Sequence, residues 1–578
     1  MAPLAVATAA TASVVTAILL FRAIDHRVVY WFAGWHPRRG IAIGIDFAVD
    51  AMGAGLAVLV SVLVTGALAF SVPYFQETVA HRYPILMLTF LAAMVAFCLT
   101  GDLFDLFVFF ELLSVSAYAL TAYQVERPAP LQGAVNFGVT NTLGSFCMLL
   151  GVGLVYGRTG ALNLAQIGHA LAAREADGLV VVAFGLLVVG FFVKAAVVPF
   201  HFWLADAYAV APTPVCVVFA GVMSELGLFA VARIYWTAFE GALGPHEAWL
   251  RVVLLGLGTA TALVGAVMAF AQQHLKRMLA FATISNIGLG LIGIALFEHV
   301  GMAGAALFTV ADGMARAALF FVIGIVVLRF ASVDEEAIRG RGRAAPALGV
   351  LFAVAGLALA ELPPFGTATG KALIEDAASG MGYHWVPFVF GVSAALVGGA
   401  VLRATGRVFL GWGPHEYDRF GADRVEEEPG EGRPGPLPRL LALPAVVLLA
   451  GVLALGVAPG LSGHMEHAAA EFQDRAGYAA AVLRARDLPE PSVRIEGPST
   501  LGLTYGGASA AAAVVVALVA LFRRRLVAAP VRRRFRAVFG RPVLRLRALH
   551  SGHVGDYAAW FTVGLVALTG LLALGVVH

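Results

Sequence analysis

The sequence predicts an all-α, polytopic membrane protein with about fifteen transmembrane helices. Of its 578 residues, 60% are hydrophobic and 13% are charged, and the mean hydropathy is +0.85. This composition excludes an ordinary soluble domain. Apolar stretches of about 20 residues recur along the chain, and each is long enough to cross a hydrocarbon core of roughly 30 Å. Their apolarity is continuous rather than alternating, which favours helices over a β-barrel.

The orientation of the chain in the membrane is predicted from its first apolar segment and from the basic loop before its last one. The first segment lacks the basic lead-in and small-residue cleavage site of a signal peptide, so we interpret it as a span. Ten arginines between residues 523 and 547 predict that the loop before the last span is cytoplasmic, and counting back then places residue 1 inside. Juxtamembrane arginines usually meet anionic lipid, so we expect the bilayer rather than nucleic acid as their partner. The predicted spans are 3–21, 43–72, 84–101, 102–124, 131–156, 179–200, 211–237, 250–271, 275–298, 302–330, 345–380, 383–413, 438–462, 501–523 and 556–577.

The chain carries no motif for redox or hydrolytic chemistry. Its three cysteines all lie within predicted spans, and no CxxC, P-loop or dinucleotide-binding glycine motif is present. The longest hydrophilic stretches, 414–437 and 463–500, are too short to form a catalytic domain. We therefore expect no cofactor and no metal site in this chain, and expect any redox or ATP-driven step to occur in another subunit.

The distribution of lysine is the most informative feature for function. The 39 basic residues comprise three lysines and 36 arginines, and two of the lysines, Lys194 and Lys371, lie inside predicted spans. Arginine stays charged at any accessible pH, whereas a desolvated lysine can release its proton near neutrality. This pattern suggests that protons are loaded and unloaded in the membrane interior.

Further ionisable residues fall within spans, namely Glu111, Glu225 and Asp312 with Arg316. Such a residue costs about 2.5–3.5 kcal/mol at the bilayer centre, so each is a functional candidate by default. Two simpler interpretations stay open. Asp312 and Arg316 are four residues apart and can form a structural ion pair. Glu111 and the lysines can be counter-ions needed only for packing.

Prolines accompany both buried lysines. Pro199 follows Lys194, and Pro363 and Pro364 precede Lys371. Proline removes a backbone donor and clashes with the preceding turn, so both segments are predicted to be broken helices. Broken helices at membrane depth are tolerated where they border protein or water. A proton relay requires such water beside its titratable groups. By contrast, Arg233, near the end of its span, is expected to extend to the surface.

Four long motifs resemble one known family. They are GDLFDLFVFFELLSVSAYAL, VKAAVVPFHFWLADAYAVAPTPV, LKRMLAFATISNIGLGLIGIAL and PPFGTATGK. Over about residues 43–413, the chain resembles the antiporter-like membrane subunits of respiratory complex I, Mrp-type cation/proton antiporters and membrane-bound hydrogenases. The first motif is most similar to the Mrp D subunit. The resemblance implies two inverted five-helix repeats, each with a broken helix.

The same resemblance implies roles for individual residues. Glu111 and Lys194 match an ion pair whose opening drives proton movement, and Lys371 matches the lysine that exchanges protons with the outer side. The chain departs from the family at the centre of this row, as Glu225 stands where relatives carry lysine and Asn286 and Asp312 stand where they carry histidine. Arg316 occupies a position often held by lysine. An acidic relay could pass protons, could coordinate Na⁺, or could have lost conduction.

Together these observations predict four segments: an N-terminal helix and outer loop (1–42), a proton-translocating core (43–413), a connecting loop and helix (414–462) and a C-terminal extension (463–578). The predicted function is a proton-translocating subunit, most simply of a Mrp-type Na⁺/H⁺ antiporter in the cell inner membrane. Its partners would be other membrane subunits, and it would carry protons and possibly Na⁺. The two C-terminal spans exceed the Mrp D pattern and look more like complex I or hydrogenase subunits. A redox-driven pump and a non-conducting scaffold therefore stay open.

Overall fold

A computed structural model describes residues 2–75, 82–172, 177–414, 439–484, 486, 488–489, 491 and 493–577. Within these ranges, twelve helices are long and apolar enough to cross a membrane, and two shorter apolar helices accompany them. The all-α polytopic prediction is confirmed, while the number of crossings and the inverted repeats stay predictions. Residues 415–438 of the predicted connecting loop lie outside the described ranges.

The helices are named in chain order. The N-terminal group is α1 (Ala2–Asp25), α2 (Ala51–Tyr74), α3 (Tyr83–Leu99), α4 (Leu103–Thr121), α5 (Pro128–Thr159), α6 (Leu164–Ala172), α7 (Gly178–Ala195) and α8 (Phe202–Val210). The middle group is α9 (Thr213–Val218), α10 (Glu225–Ile234), α11 (Glu240–Leu243), α12 (Glu247–Ala271), α13 (Leu275–Ala295), α14 (His299–Phe330), α15 (Pro346–Leu359), α16 (Gly366–Gly380) and α17 (Val386–Thr405). The C-terminal group is α18 (Leu443–Val457), α19 (Leu461–Gln473), α20 (Arg475–Arg484), α21 (Thr500–Leu526), α22 (Ala529–Ala548) and α23 (Val554–Val577).

A short antiparallel hairpin joins α1 to α2. Its strands are β1 (Val28–Trp31) and β2 (Asp46–Val49), with Val28 opposite Val49 and Trp31 opposite Asp46. Asp50 caps the following helix by accepting a hydrogen bond from the Gly53 backbone, which starts α2 directly after the strand.

Both predicted helix breaks are observed. Helix α7 ends at Ala195 and α8 begins at Phe202, with Pro199 between them, and α15 ends at Leu359 before α16 begins at Gly366. Each break also contains a non-glycine residue with positive φ, Ala196 at 57° and Glu361 at 62°. Few residues with a Cβ adopt this conformation, so the chain leaves helical geometry fully at both points.

Side chains of neighbouring helices satisfy the backbone groups that the first break releases. The Trp203 indole donates to the Val193 carbonyl at 2.9 Å, and the Val198 N–H donates to the Thr261 hydroxyl at 3.1 Å. Non-helical backbone inside a membrane requires such partners, because lipid offers none.

Contacts between loops agree with the predicted alternation of faces. Arg27, after α1, pairs with Glu471 of α19, and Asn163, before α6, donates to Asp46 of β2. Arg27, Glu471 and Asn163 are predicted to lie outside, and Asp46 lies at the outer end of the predicted span 43–72. On the opposite face, residues after α22 contact the start of α8, as described below. The C-terminal helices pack against the core, with α21 on α16 and α17, and α23 on α5, α7 and α12.

Candidate functional site

Lys194 is fully buried in the last turn of α7, immediately before the first break. Its Nζ donates to the hydroxyl of Ser114 on α4 at 2.7 Å. The ammonium also lies 4.8 Å from the ring centroid of Phe110 and 5.5 Å from that of Phe137, within cation–π range. The lysine is therefore held by a hydroxyl and two aromatic faces.

The ion pair that the resemblance implies for Glu111 and Lys194 is not formed. Within the described residues, Lys194 has no carboxylate at salt-bridge distance, although Glu111 interacts with it electrostatically. Glu111 lies three residues before Ser114 on α4, and its Oε1 is buried without a hydrogen-bond partner among the described residues. Lys194 thus donates to the Ser114 hydroxyl and not to Glu111.

The central cluster joins four buried side chains from three helical segments. Arg316 of α14 donates from Nη2 to Oε1 of Glu225 at 2.5 Å, and its Nε lies 2.6 Å from Oδ2 of Asp312. Asn286 of α13 donates to the other oxygen of Asp312 at 2.5 Å. The i,i+4 ion pair predicted for Asp312 and Arg316 is confirmed, and it extends to Glu225.

Two glycines bring this cluster together. A Cβ on Gly313 of α14 would lie 2.2 Å from the carbonyl oxygen of Gly221, so only glycine permits this approach. Gly221 lies in a π-helical turn, Phe219–Met223, that ends just before Glu225. Such turns insert one extra residue and often mark functional sites. The turn and the close approach together place Glu225 against the α14 face that carries Asp312 and Arg316.

The third cluster surrounds Lys371 near the start of α16. Its Nζ lies 2.7 Å from Oε2 of Glu361, in the second break, and 3.6 Å from Oε1 of Glu375, one turn later. It also donates to the hydroxyl of Ser509 on α21 at 2.6 Å. All four side chains are at most 4% exposed. The C-terminal extension therefore supplies one of the contacts to this lysine.

The three clusters lie on helices that touch one another. A Cβ on Gly227 would lie 2.5 Å from the Phe191 carbonyl, so α10 passes directly along the end of α7 that carries Lys194. A Cβ on Gly370 would lie 2.4 Å from the Phe308 backbone nitrogen, so α16 passes equally close to α14. Glu361 also interacts electrostatically with Asp312. The three clusters thus lie on helices that are packed directly against one another, and we refer to their residues together as the row.

Sequence reasoning missed two carboxylates of this row. Glu361 lies two residues before the first of the two prolines that were used to predict the break, and Glu375 is four residues after Lys371, a spacing that itself indicates an ion pair. The prediction for Arg233 was wrong: it is 3% exposed and pairs with Asp50 at 2.6 Å.

The charges of the row favour proton chemistry. The central cluster contains two carboxylates and one guanidinium, and the Lys371 cluster contains two carboxylates and one ammonium. An uncompensated charge in a buried site is costly, and one proton on a carboxylate would make either cluster neutral. In the described part of the chain, no group of three or more His, Cys, Asp or Glu is arranged to hold a metal ion.

Solved structures with the same architecture are known. A chain of the Mrp complex from Dietzia sp. DQ12-45-1b superimposes with a TM-score of 0.72 at 28% identity, covering 83% of this chain and 94% of that one. A chain of respiratory complex I from Thermus thermophilus superimposes with a TM-score of 0.67 at 21% identity, which supports the fold alone.

Curated relatives point to the same group. An NADH-quinone oxidoreductase subunit N from Desulforudis audaxviator is 33% identical over 363 residues, covering 62% of this chain and 70% of that protein. A putative antiporter subunit mnhD2 from Staphylococcus saprophyticus is 30% identical over 373 residues, covering 64% of this chain and 72% of that protein. The profile of the family described as "NADH:quinone oxidoreductase/Mrp antiporter, TM" matches residues 100–398, just over half of the chain. The chain belongs to the NADH:quinone oxidoreductase/Mrp antiporter family of membrane subunits.

Proposed function

We propose that this protein is a proton-translocating subunit of a Mrp-type multisubunit Na⁺/H⁺ antiporter in the cell inner membrane. The observation that carries the proposal is the row of three buried clusters. Lys194 lies beside the first helix break, Lys371 lies beside the second, and the Glu225–Arg316–Asp312 network lies between them. Broken helices admit water beside buried charges, which a proton relay needs.

In this mechanism each cluster changes its proton content in response to its neighbour. Arg316 cannot release a proton, so it acts as a fixed positive charge and Glu225 or Asp312 carries the proton. A proton on either carboxylate changes the field at Glu361, because Asp312 and Glu361 interact electrostatically. Coupled titration of this kind lets a proton move stepwise along the row.

The partners we propose are the other membrane subunits of such a complex. The Mrp complex of Dietzia and the putative antiporter subunit of Staphylococcus support this assignment. Na⁺ would be exchanged by the complex as a whole.

A second candidate is a proton-pumping membrane subunit of an NADH:quinone oxidoreductase or a membrane-bound hydrogenase. The similarity to a subunit N and the helices α21 and α23 favour it. In that case soluble subunits supply the electrons, and the same row moves the protons. A third possibility, from another class, is a scaffold that holds a complex together without conducting.

The test is dissipation of a pH gradient by the intact complex in sealed vesicles, with and without Na⁺. Lys194→Ala and Lys194→Arg should both abolish proton movement, because arginine keeps the charge but cannot release a proton. Arg329→Gln is a matched control, since Arg329 lies at an exposed end of α14. Each variant complex is first checked for assembly by co-purification of its subunits.

Three outcomes separate the candidates. Na⁺-dependent proton movement that is lost in both Lys194 variants supports the antiporter. Movement driven by NADH or by a hydrogenase substrate, with no response to Na⁺, supports the redox-driven pump. Wild-type rates in assembled Lys194 variants would refute the relay and leave the scaffold.

A further inference from the structure

The C-terminal extension contacts the first helix break on the face that carries the arginine-rich helix α22. Between α22 and α23, His550 places its Nε2 3.2 Å from Nε2 of His201, the residue that directly precedes α8. His201 is 3% exposed, whereas His550 is partly exposed. The two rings thus bridge from the protein surface to a buried position seven residues beyond Lys194.

Several contacts fix the position of this segment. The Tyr557 hydroxyl donates to Oδ2 of Asp206 at 2.6 Å, and Asn136 donates to the Gly552 carbonyl at 2.8 Å. Asp206 also pairs with Arg277 of α13 at 3.1 Å. The segment is therefore attached to α5 and α8, and through Asp206 to α13.

The hydrogen-bond partners of His201 and His550 indicate which ring nitrogen of each neutral histidine carries the proton. Nδ1 of His550 lies 3.0 Å from the Leu546 carbonyl, which can only accept, so this nitrogen carries the proton. Nε2 of His550 is then unprotonated, and His201 donates to it from Nε2. The one remaining basic nitrogen of the pair is Nδ1 of His201, which is buried, and the His201 ring also interacts with the backbone of Pro199 in the break.

We propose that His201 and His550 form a proton-access pair that connects the surface beside α22 to the helix break next to Lys194. This inference rests on the proposed function and adds a path to it. A proton from the break binds Nδ1 of His201. The Nε2–H bond of His201 then breaks as the Nε2–H bond of His550 forms, and His550 releases its Nδ1 proton to solvent. Tautomerisation of both rings restores the starting state. The reverse sequence carries a proton inward.

The surroundings of the pair keep it neutral at rest. Burial lowers the pKa of His550, the hydrogen bond to the Leu546 carbonyl and the charge of Asp206 act in the opposite direction, and Arg277 lowers it further. Phe281 and Phe202 pack against the His550 ring at centroid distances of 5.1 and 4.9 Å, which limits its hydration. A proton on the pair is therefore held briefly, as transfer requires.

The experiment measures proton movement by the intact complex in sealed vesicles for His550→Gln and His201→Gln. We expect both to slow proton movement about tenfold or more, since positioned acid–base groups typically contribute at least that factor. His553→Gln is the matched control, because His553 is exposed three residues away and should transport at the wild-type rate. His550→Ala should recover when imidazole is added, whereas a purely structural loss would not.

Two further variants make the result decisive. Tyr557→Phe removes the hydrogen bond to Asp206 but no proton carrier, so an equal loss in this variant would overturn the proposal in favour of a positioning role. Wild-type transport by His550→Gln, or no recovery with imidazole, would also overturn it. Lys194→Ala is measured in the same membranes. If it is inactive while His550→Gln is normal, only the access pair fails, and if it is active, the proposed function itself fails.

Discussion

Substitution of Glu225 by glutamine tests the charge balance of the central cluster. Glutamine keeps the shape of the side chain and an oxygen that can accept from Nη2 of Arg316, now 2.5 Å away. Arg316 keeps Asp312 at 2.6 Å as its counter-ion, so the remaining pair is neutral without any added proton. Glu225→Gln therefore removes the carboxylate that lacks its own cation.

The expected effects on stability and transport differ in kind. The free energy of unfolding should change by less than about 1 kcal/mol, because no buried charge loses its only partner. Arg316→Met, by contrast, leaves two buried carboxylates unpaired and should cost about 3–5 kcal/mol. Transport should fail in both, for different reasons. In Glu225→Gln the remaining Asp312 stays ionised beside Arg316, and in Arg316→Met no fixed positive charge remains to favour proton release from the two carboxyl groups.

The assay compares thermal unfolding of the solubilised complex with proton movement in vesicles for both variants. A Glu225→Gln complex that is stable and inactive supports the reasoning. A destabilisation as large as that of Arg316→Met would show that the second carboxylate is needed for folding. Wild-type transport would remove Glu225 from the relay. Glu225→Lys should also fail, because it puts an ammonium beside Arg316 with one carboxylate for two cations.

Three further predictions follow from the packing and the charges. Gly313→Ala should destabilise the protein by about 1–3 kcal/mol in thermal unfolding, because its Cβ would lie 2.2 Å from the Gly221 carbonyl oxygen; an unchanged transition would contradict the close approach. Burial and the nearby charge of Asp102 raise the pKa of Asp46 from its ordinary 3.8 to about 7. Between these two pH values the folded state holds a proton that the unfolded chain has released, so the free energy of unfolding should fall as the pH rises from about 3.8 to about 7. Asp46→Asn should remove this dependence and raise stability at about pH 8 by up to roughly 4 kcal/mol, and parallel pH profiles for the two proteins would argue against it. Lys371→Arg keeps both ion pairs and leaves two carboxylates beside a guanidinium, as in the central cluster, so vesicles should retain proton movement and the subunits should co-purify; loss of movement would assign the exchangeable proton of this cluster to Lys371 itself.

The fold could be predicted from sequence because its causes are local. Continuous apolarity over about 20 residues forces a helix in a bilayer, and the prolines beside Lys194 and Lys371 break the helices there. Both inferences need only a short window of sequence. For the same reason, the i,i+4 ion pair of Asp312 and Arg316 could be predicted from the sequence.

The contacts between helices could not be predicted, because they depend on distant residues. Glu225 and Arg316 are 91 residues apart, and His201 and His550 are 349 apart. Arg233 was assigned to the surface on the assumption that water covers the end of its span. Instead, residues of α19 and α20 cover it, with the ring of Phe472 centred 4.2 Å from its guanidinium.

At the acidic centre of the row, the cation is the group with a fixed charge and the acids are the groups that can exchange protons, which reverses the family pattern. In the resemblance, basic residues occupy the positions of Glu225 and Asp312, so the titrating groups there are cations. Here a guanidinium that cannot titrate holds two carboxylates, so under the proposed function the exchangeable proton belongs to the acids. At Lys371 an ammonium, rather than a guanidinium, lies beside two carboxylates. Because neighbouring clusters respond to each other's charge and not to its chemical origin, a row of mixed acids and bases can relay protons as well as a row of lysines.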